Sequence, residues 1–393
     1  MRRTLQLLAA TLLAAPLVVA PQLMTTQLGA PVLAPPANAA PRHVEQTQEV
    51  GEDEAVSVVL DGTTPSTTLH RPGSWYLKAH FTGLRLVGGD VLAVSDPTGA
   101  ESYRYTADVA ASGTATTDAT GFWAMSVTGD TAVLALRGKD GGPAHPDSRV
   151  ALDKVTRGYT DAELSAAAEM APRSICGGND YRDAVCYQSS NPAEFGRTPA
   201  VAKLLRNGGS LCTAWRVGPT NRMLTNNHCF TSGTGIEVWF NYQCPTCGGT
   251  ATAAVTKVLV SSVLRTNAAL DYTLFSVTNF ASLASFGYLE LDARVPAVGE
   301  EMYVIGHPAG KLKKVSLRDD QNGGGYCVVS AVRVNGSSSQ SDIAYRCDTE
   351  GGSSGSPVLS RRTNKVIGLH HYGGCPNQGV RIDLVAAQIS GLM

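Results

Sequence analysis

Short apolar or alternating runs, separated by Gly, Asp, Asn and Pro, recur along most of the 393-residue chain. They read as β-strands joined by turns. In the first part, Ala55–Leu60 stops at the turn signal Asp61-Gly62. Trp75–His80 and Leu84–Leu86 follow, Asp90–Val94 runs into the turn Asp96–Gly99, and Phe122–Val127 and Thr131–Leu136 complete the series. Such a series predicts a small β-sandwich. Residues 41–54 are polar and acidic and read as an extended lead-in. Residues 137–160, rich in Gly and Pro, read as a linker. Thr160 and Glu163 form a capping box that opens a short Ala-rich helix to Met170, stopped by Pro172. From Cys176 onward strands return at Val238–Tyr242, Val255–Val263, Tyr272–Val277, Met302–Ile305, Val328–Val334 and Val366–Leu369. The stretch Asp383–Leu392 has helical spacing. The chain is therefore expected to be all-β with a C-terminal helix. Long helices do not alternate with strands, which argues against a doubly wound or α/β-hydrolase core.

Composition refines this picture at the chain's start and in its cysteines. Hydrophobic residues make up 43% and charged residues 17%, as in a folded globular protein. Lys+Arg 32 against Asp+Glu 33 leaves a net charge of −1 and gives no reason to expect nucleic acid or an anionic membrane as partner. Arg2 and Arg3 precede an apolar stretch, Leu5 to Ala20, and Ala37-Asn38-Ala39 is a cleavage signal. Residues 1–39 thus read as a signal peptide for export. A membrane anchor is the other reading, but Pro16 and Pro21 cut the stretch short of a bilayer span. All nine cysteines follow residue 175. In an exported chain that means disulfides, and it divides a cysteine-free part, 40–173, from a stapled part, 174–393.

The chemistry concentrates in three segments. Ser354 lies in Gly352-Ser353-Ser354-Gly355-Ser356-Pro357, a small-residue turn in which the amides of Gly352 and Ser354 can converge on one oxygen. Upstream, Leu224–Cys229 carries His228 as a possible base. Leu270–Leu274 carries Asp271 as a possible carboxylate to orient it. His, Asp, Ser is a known order for a serine triad. Each segment has a plainer reading: a flexible Gly/Ser loop, a structural histidine, a residue that starts a strand. Gly351–Gly355 also fits Gly-x-Ser-x-Gly, which would make Ser353 the nucleophile, but no acid stands between it and His370. His228 beside Cys229, with Cys244 and Cys247, invites a zinc site, yet no further cysteine pair completes four ligands. His80 and Asp90 read as satisfied polar residues of the sandwich.

With these motifs in hand, the segment from about Ser174 to the end resembles the chymotrypsin-like, trypsin-fold serine endopeptidases. It is most similar to the secreted bacterial lysyl and glutamyl branch. The resemblance rests on Thr225–Cys229, Asp271–Leu274, Gly306–Gly310, Gly352–Pro357 and Val366–Gly374. It implies two six-stranded antiparallel β-barrels with the site between them. It also implies His228 as general base, Asp271 as its orienter, Ser354 as nucleophile, and the Gly352 and Ser354 amides as oxyanion donors. Residues 55–155 look like a propeptide or accessory sandwich. The resemblance further implies the disulfides Cys212–Cys229, Cys176–Cys375, Cys186–Cys247 and Cys327–Cys347, with Cys347–Cys375 as a competing pair and Cys244 odd. Animal relatives carry Asp just before the nucleophile; here it is Ser353, so latency is expected to be steric, through residues 41–173, with cleavage near Arg173.

The same resemblance bears on specificity. Asp348 stands six residues before Ser354, where an aspartate meets Arg or Lys at P1, the residue on the acyl side of the cut bond. His370 resembles the histidine that holds an acidic P1. Tyr372 and Gly373 are expected to pair with substrate backbone as an added strand. The expected activity is endopeptidase cleavage after Arg or Lys, with acidic P1 as the alternative and an inactive protease-like binding module as the rival from another class. The chemistry calls for no metal and no organic cofactor. The expected partners are protein or peptide substrates and the chain's own N-terminal domain as inhibitor. The expected state is an extracellular monomer, free of the membrane once the signal is removed.

Overall fold

A computed structural model describes residues 47–170, 174–230 and 235–393, together with the backbone of Val44–Glu45. The signal segment and Arg173 lie outside the described residues. From residue 51 the chain forms two facing sheets. One has the order Gly51–Leu60, Arg149–Gly158, Tyr76–Arg85, Phe122–Ala124, Ala115–Thr117, with Val127–Thr128 also paired to Tyr76–Arg85. The other runs Ser66–His70, Thr131–Arg137, Val91–Ser95, Ser102–Tyr105. Their inner faces meet in one core that includes Leu60, Phe81, Leu92, Phe122, Leu134 and Val155.

The sequence reading of 137–160 as linker needs correction. Arg149–Gly158 is a ten-residue strand paired on both sides, to Gly51–Leu60 and to Tyr76–Arg85. Val150, Leu152 and Val155 face the core. Gly138, Gly141, Gly142, Pro143 and Pro146 belong to the turn before it, and Gly158 ends the strand itself. His80 and Asp90 are satisfied polar residues. The His80 ring lies between Asp153 (2.6 Å) and Asp118 (3.1 Å), and Asp90 accepts from His145 N–H (2.7 Å) and the Ser148 hydroxyl (2.6 Å). Thr160 and Glu163 bond reciprocally at the start of helix Asp161–Met170.

After this helix come the barrels, and the fold is trypsin-like. Six antiparallel strands close a ring: Val201–Arg206, Ser210–Arg216, Met223–Thr225, Tyr272–Val277, Thr256–Asn267, Ile236–Phe240 and back to the first. The second unit is a half-barrel. Its sheet runs Arg182–Asp183, Lys314–Ser316, Met302–Gly306, Pro357–Ser360, Val366–Gly373, Asn377–Arg381, Asp342–Tyr345, Val329–Val334. Its last strand, Val329–Val334, approaches the strand Met302–Gly306 only through isolated contacts, such as Met302 N–H to Cys327 O (2.9 Å) and the bridge Glu301–Val328, and not by a continuous ladder. Ile382–Ile389 is the C-terminal helix, which buries Ile382, Val385 and Ile389. Four disulfides form, Cys176–Cys375, Cys186–Cys247, Cys212–Cys229 and Cys327–Cys347, which leaves Cys347–Cys375 unmade and Cys244 free and buried.

Candidate active site

The turn that carries Ser354 has no room for side chains where its glycines sit. Gly352 and Gly355 have φ of 92° and 86°, a region open to glycine at little cost. A Cβ at 352 would come within 2.5 Å of the Leu211 side chain, and one at 355 within 2.1 Å of the Thr213 carbonyl. The turn is pinned by Ser353 N–H to Glu350 O (3.0 Å), Ser356 N–H to Ser353 O (2.9 Å) and Gly355 N–H to His370 O (2.9 Å). Thr213 of the first barrel donates its N–H to the Ser354 carbonyl (2.8 Å) and its hydroxyl to the Gly352 carbonyl (3.0 Å). The turn that carries Ser354 therefore belongs to the second unit but is fixed by the first. The Ser353 hydroxyl turns back to accept Glu350 N–H (3.3 Å), which leaves it no nucleophile's geometry.

His228 follows the strand Met223–Thr225, and Cys229 ties its loop to Cys212. With those two sulfurs joined to each other, neither is a thiolate ligand. Cys247 is likewise bonded to Cys186, so the zinc reading loses its donors. Asp271 grips His228 twice: Oδ1 accepts the His228 backbone N–H (3.0 Å) and Oδ2 faces ring Nδ1 (2.8 Å). The ring's other nitrogen, Nε2, is buried without a hydrogen-bond partner. Asp271 sits in left-handed backbone, φ 45°, just before the strand Tyr272–Val277. Aspartate tolerates that conformation better than most residues. Burial pushes its carboxyl up, but hydrogen bonds from His228 and His371 outweigh it and hold the group well below the usual carboxylate range.

His371 and Asp342 were not singled out from sequence. His371 Nδ1 lies 3.1 Å from Asp271 Oδ2, and its Nε2 lies 2.6 Å from Asp342 Oδ2. All three side chains are buried. Desolvation would lower the His371 pKa, yet its bonds to Asp271 and Asp342 raise it to about 9. The histidine that was singled out, His370, points the other way along the same strand. Its Nδ1 meets the Tyr345 hydroxyl (2.7 Å), and burial, with His371 and His228 nearby, lowers it to about 3.

The remaining expected residues fall around the cleft. Asp348 uses both carboxylate oxygens on backbone N–H groups, Cys176 (2.9 Å) and Asp180 (2.7 Å). Burial raises it to about 6 against those two bonds, with the charges of Asp180 and Asp320 adding to the rise. Tyr372 stacks on the His371 ring at 3.9 Å and meets Ser337 Oγ through its hydroxyl (2.7 Å). The Tyr372-Gly373 edge already carries a strand: Val44 pairs with Gly373 and Glu45 with Tyr372, antiparallel. Farther along, Gln48 pairs with Leu211 and Glu49 with Ser210 on the first barrel. Gln48 packs so closely on the nucleophile turn that a Cβ at Gly351 would lie 2.7 Å from its Oε1.

Residues 212–369 match the family model described as trypsin-like peptidase domain. The secreted RxLR effector protein 73 of Plasmopara viticola is 34% identical over 217 residues, which are 52% of this chain and 52% of that protein. The uncharacterized protein y4fB of Sinorhizobium fredii is 30% identical over 175 residues, 41% of this chain and 25% of that protein. The chain thus spans about half the length of the first relative and a quarter of the second. Among solved structures, the inactive form of the M. tuberculosis protease Rv3671c is 18% identical, with a TM-score of 0.38, over 52% of this chain and 94% of that one. The serine endoprotease from Yersinia pestis is 16% identical, with a TM-score of 0.38, over 52% of this chain and 66% of that one.

Proposed function

We propose that the chain is an exported serine endopeptidase that works through an acyl-enzyme on Ser354. One observation carries this reading: Asp271 holds both the ring and the backbone N–H of His228, while the ring's other nitrogen is buried and unpartnered. In the proposed reaction, Ser354 Oγ attacks the substrate carbonyl as His228 Nε2 takes its proton, and the oxyanion is met by the amides of Gly352 and Ser354. The C–N bond breaks and the amine leaves with the proton from His228. Water, deprotonated by the same nitrogen, then splits the ester and restores Ser354. Asp271 keeps the tautomer and bears the transient imidazolium. Export is supported by four disulfides, which persist in oxidising compartments, and by the name of the first relative.

Basic P1 follows from Asp348 as the charge at the pocket base. Acidic P1 is a second reading, supported by the engagement of both Asp348 oxygens by backbone amides. Latency belongs to the same proposal: the pairings of residues 44–45 and 48–49 support an N-terminal segment that lies across the cleft in the place of substrate. The test is covalent labelling by an organophosphate together with a panel of P1-varied peptides. Wild type should label at Ser354 and cleave. Ser354→Ala should not label and should lose several orders of magnitude in kcat, keeping the residual ~10³–10⁴-fold over water that binding and the oxyanion hole supply. A wild type that folds but neither labels nor cleaves is the binding module instead.

A further inference from the structure

We propose that His371 and Asp342 form a positioning pair behind Asp271, which fixes the carboxylate that orients His228. The assignment rests on the protease reading above. The geometry that carries it is a chain of contacts: His228 Nδ1 to Asp271 Oδ2 (2.8 Å), Asp271 Oδ2 to His371 Nδ1 (3.1 Å), His371 Nε2 to Asp342 Oδ2 (2.6 Å). Asp342 is anchored in turn, since its Oδ1 accepts the Ser341 hydroxyl (2.6 Å). The loop around Gly336 closes over it so tightly that a Cβ there would lie 2.2 Å from the carboxylate.

The chemistry of the donors decides what His371 is. Ionised carboxylates only accept hydrogen bonds. A ring flanked by two of them donates on both sides only as the imidazolium, and a neutral ring would set a lone pair against a carboxylate in a buried place. The titratable groups around His371 are Asp271 and Asp342, which bond its ring, and the neighbouring rings of His370 and His228. Of these, His370 is held neutral by burial, so the cation stands alone beside Asp271. Two consequences follow. Asp271 Oδ2 receives two donors and Oδ1 a third, so the carboxylate cannot rotate away from His228. The cation also sets a positive charge beside the carboxylate that orients His228. Its loss is therefore expected to show in the acid limb of the rate profile.

Asp342→Asn separates charge from position: it keeps a polar partner for the ring and removes the reason for its charge. The acid side of the kcat/KM profile should move up by roughly half to one pH unit, with kcat on the plateau little changed. His371→Gln keeps an amide donor and removes the cation. The same upward shift is expected, with kcat down about 10- to 100-fold, the range carried by outer hydrogen-bond partners of a catalytic ligand. Nitrogen-15 NMR of the histidine rings in Ser354→Ala gives a readout without turnover: one ring, absent from the Ser354→Ala/His371→Gln spectrum, should hold both protons at pH 7.5. A neutral His371 there overturns the assignment. So do variants that melt lower while their acid limb and kcat match wild type, since that is a structural role alone. Should one variant fail to fold, the other and the NMR signal decide. A wild type that hydrolyses no peptide overturns the protease reading instead.

Discussion

Two stretches of the N-terminal region lie against the barrels, and they do so in opposite ways. One is a seam of buried charge. Glu237 of the first barrel is fully buried, paired with Lys78 of the sandwich, and accepts from Ser126 N–H (3.1 Å) and from Trp239 Nε1 (2.7 Å). Lys257 reaches back from the barrel to Glu101 (2.5 Å) and the Ser126 carbonyl (2.7 Å), and lies 3.9 Å over the Trp239 ring. The other stretch is the lead-in, where Val44–Glu45 and Gln48–Glu49 pair as short strands with the two barrels and Glu49 stays exposed. A seam of the first kind exists only where geometry repays the desolvation of every ion, and opening it strands Glu237 and Lys257 in the barrel. A polar strand edge opens at the cost of a few backbone bonds to water. The sandwich is therefore built to stay, and if the N-terminal region competes with substrate as proposed above, relief is expected to move the lead-in alone.

The strongest way to break this contrast is at the seam. Glu237→Gln leaves Lys78 and Lys257 facing an uncharged amide in a buried place, and stability should fall by about 3–5 kcal/mol. Denaturant melts measure it. A loss under about 1 kcal/mol would mean the seam is wet and loose, and the sandwich could then leave as a propeptide does. Next comes the lead-in. Val44 and Glu45 point their N–H groups to opposite sides of their strand, so Val44→Pro with Glu45→Pro removes the one that faces Tyr372-Gly373, whichever it is. Peptide hydrolysis should rise about tenfold in kcat/KM, equivalent to ~1.4 kcal/mol of self-competition, with no change in melting. Unchanged kinetics would end the idea that this segment competes with substrate. A smaller effect is expected at the junction of the two stretches. The Tyr76 hydroxyl donates to the Gly208 carbonyl across the seam (2.6 Å), and Tyr76→Phe should cost about 1 kcal/mol without touching activity.

What the sequence could and could not disclose follows the same line between local and distant. Ser354, His228 and Asp271 stand out in the sequence because each sits in a segment whose chemistry is local: a glycine turn, a histidine beside a cysteine, an aspartate opening a strand. The sandwich strands were legible wherever alternation was clean, and Arg149–Gly158 was lost only because Gly and Pro stood just before it. The second unit's opening into a half-barrel was invisible, because closure depends on pairing between distant strands. His371 illustrates the limit best. It stands next to His370 in one strand, so the two rings point to opposite faces. Which face looks at Asp271 is a matter of register, and Asp342, in the stretch Ser341-Asp342-Ile343, carries no signal at all. The lead-in was read as extended, but its partners lie more than a hundred residues away.

The smallest predicted effect concerns the third place where chain beyond the sandwich meets the barrels, the segment Cys176–Asp180 on Asp348. Asp271 and Asp348 are both buried, and their carboxyls are shifted in opposite directions. Asp271 is held low, so its ionised form supports the fold and that support fades only as pH falls far into the acid range. Asp348 is raised to about 6, chiefly by burial. Its ionised form is the disfavoured one, so the fold gains as pH falls from neutral through 6 while the pocket loses its charge. If that charge selects Lys or Arg, the preference for basic over uncharged P1, measured as a ratio of kcat/KM values, should halve at about pH 6 and fall further below it. Taking the ratio cancels any change in the triad, because both substrates share it. The amides of Cys176 and Asp180 stabilise the anion, so loosening that segment should raise the midpoint. A ratio that stays flat from pH 8 to 5 would detach Asp348 from P1 selection and leave it as the clasp that holds the incoming chain. The acidic-P1 reading through His370 would then be the one to pursue.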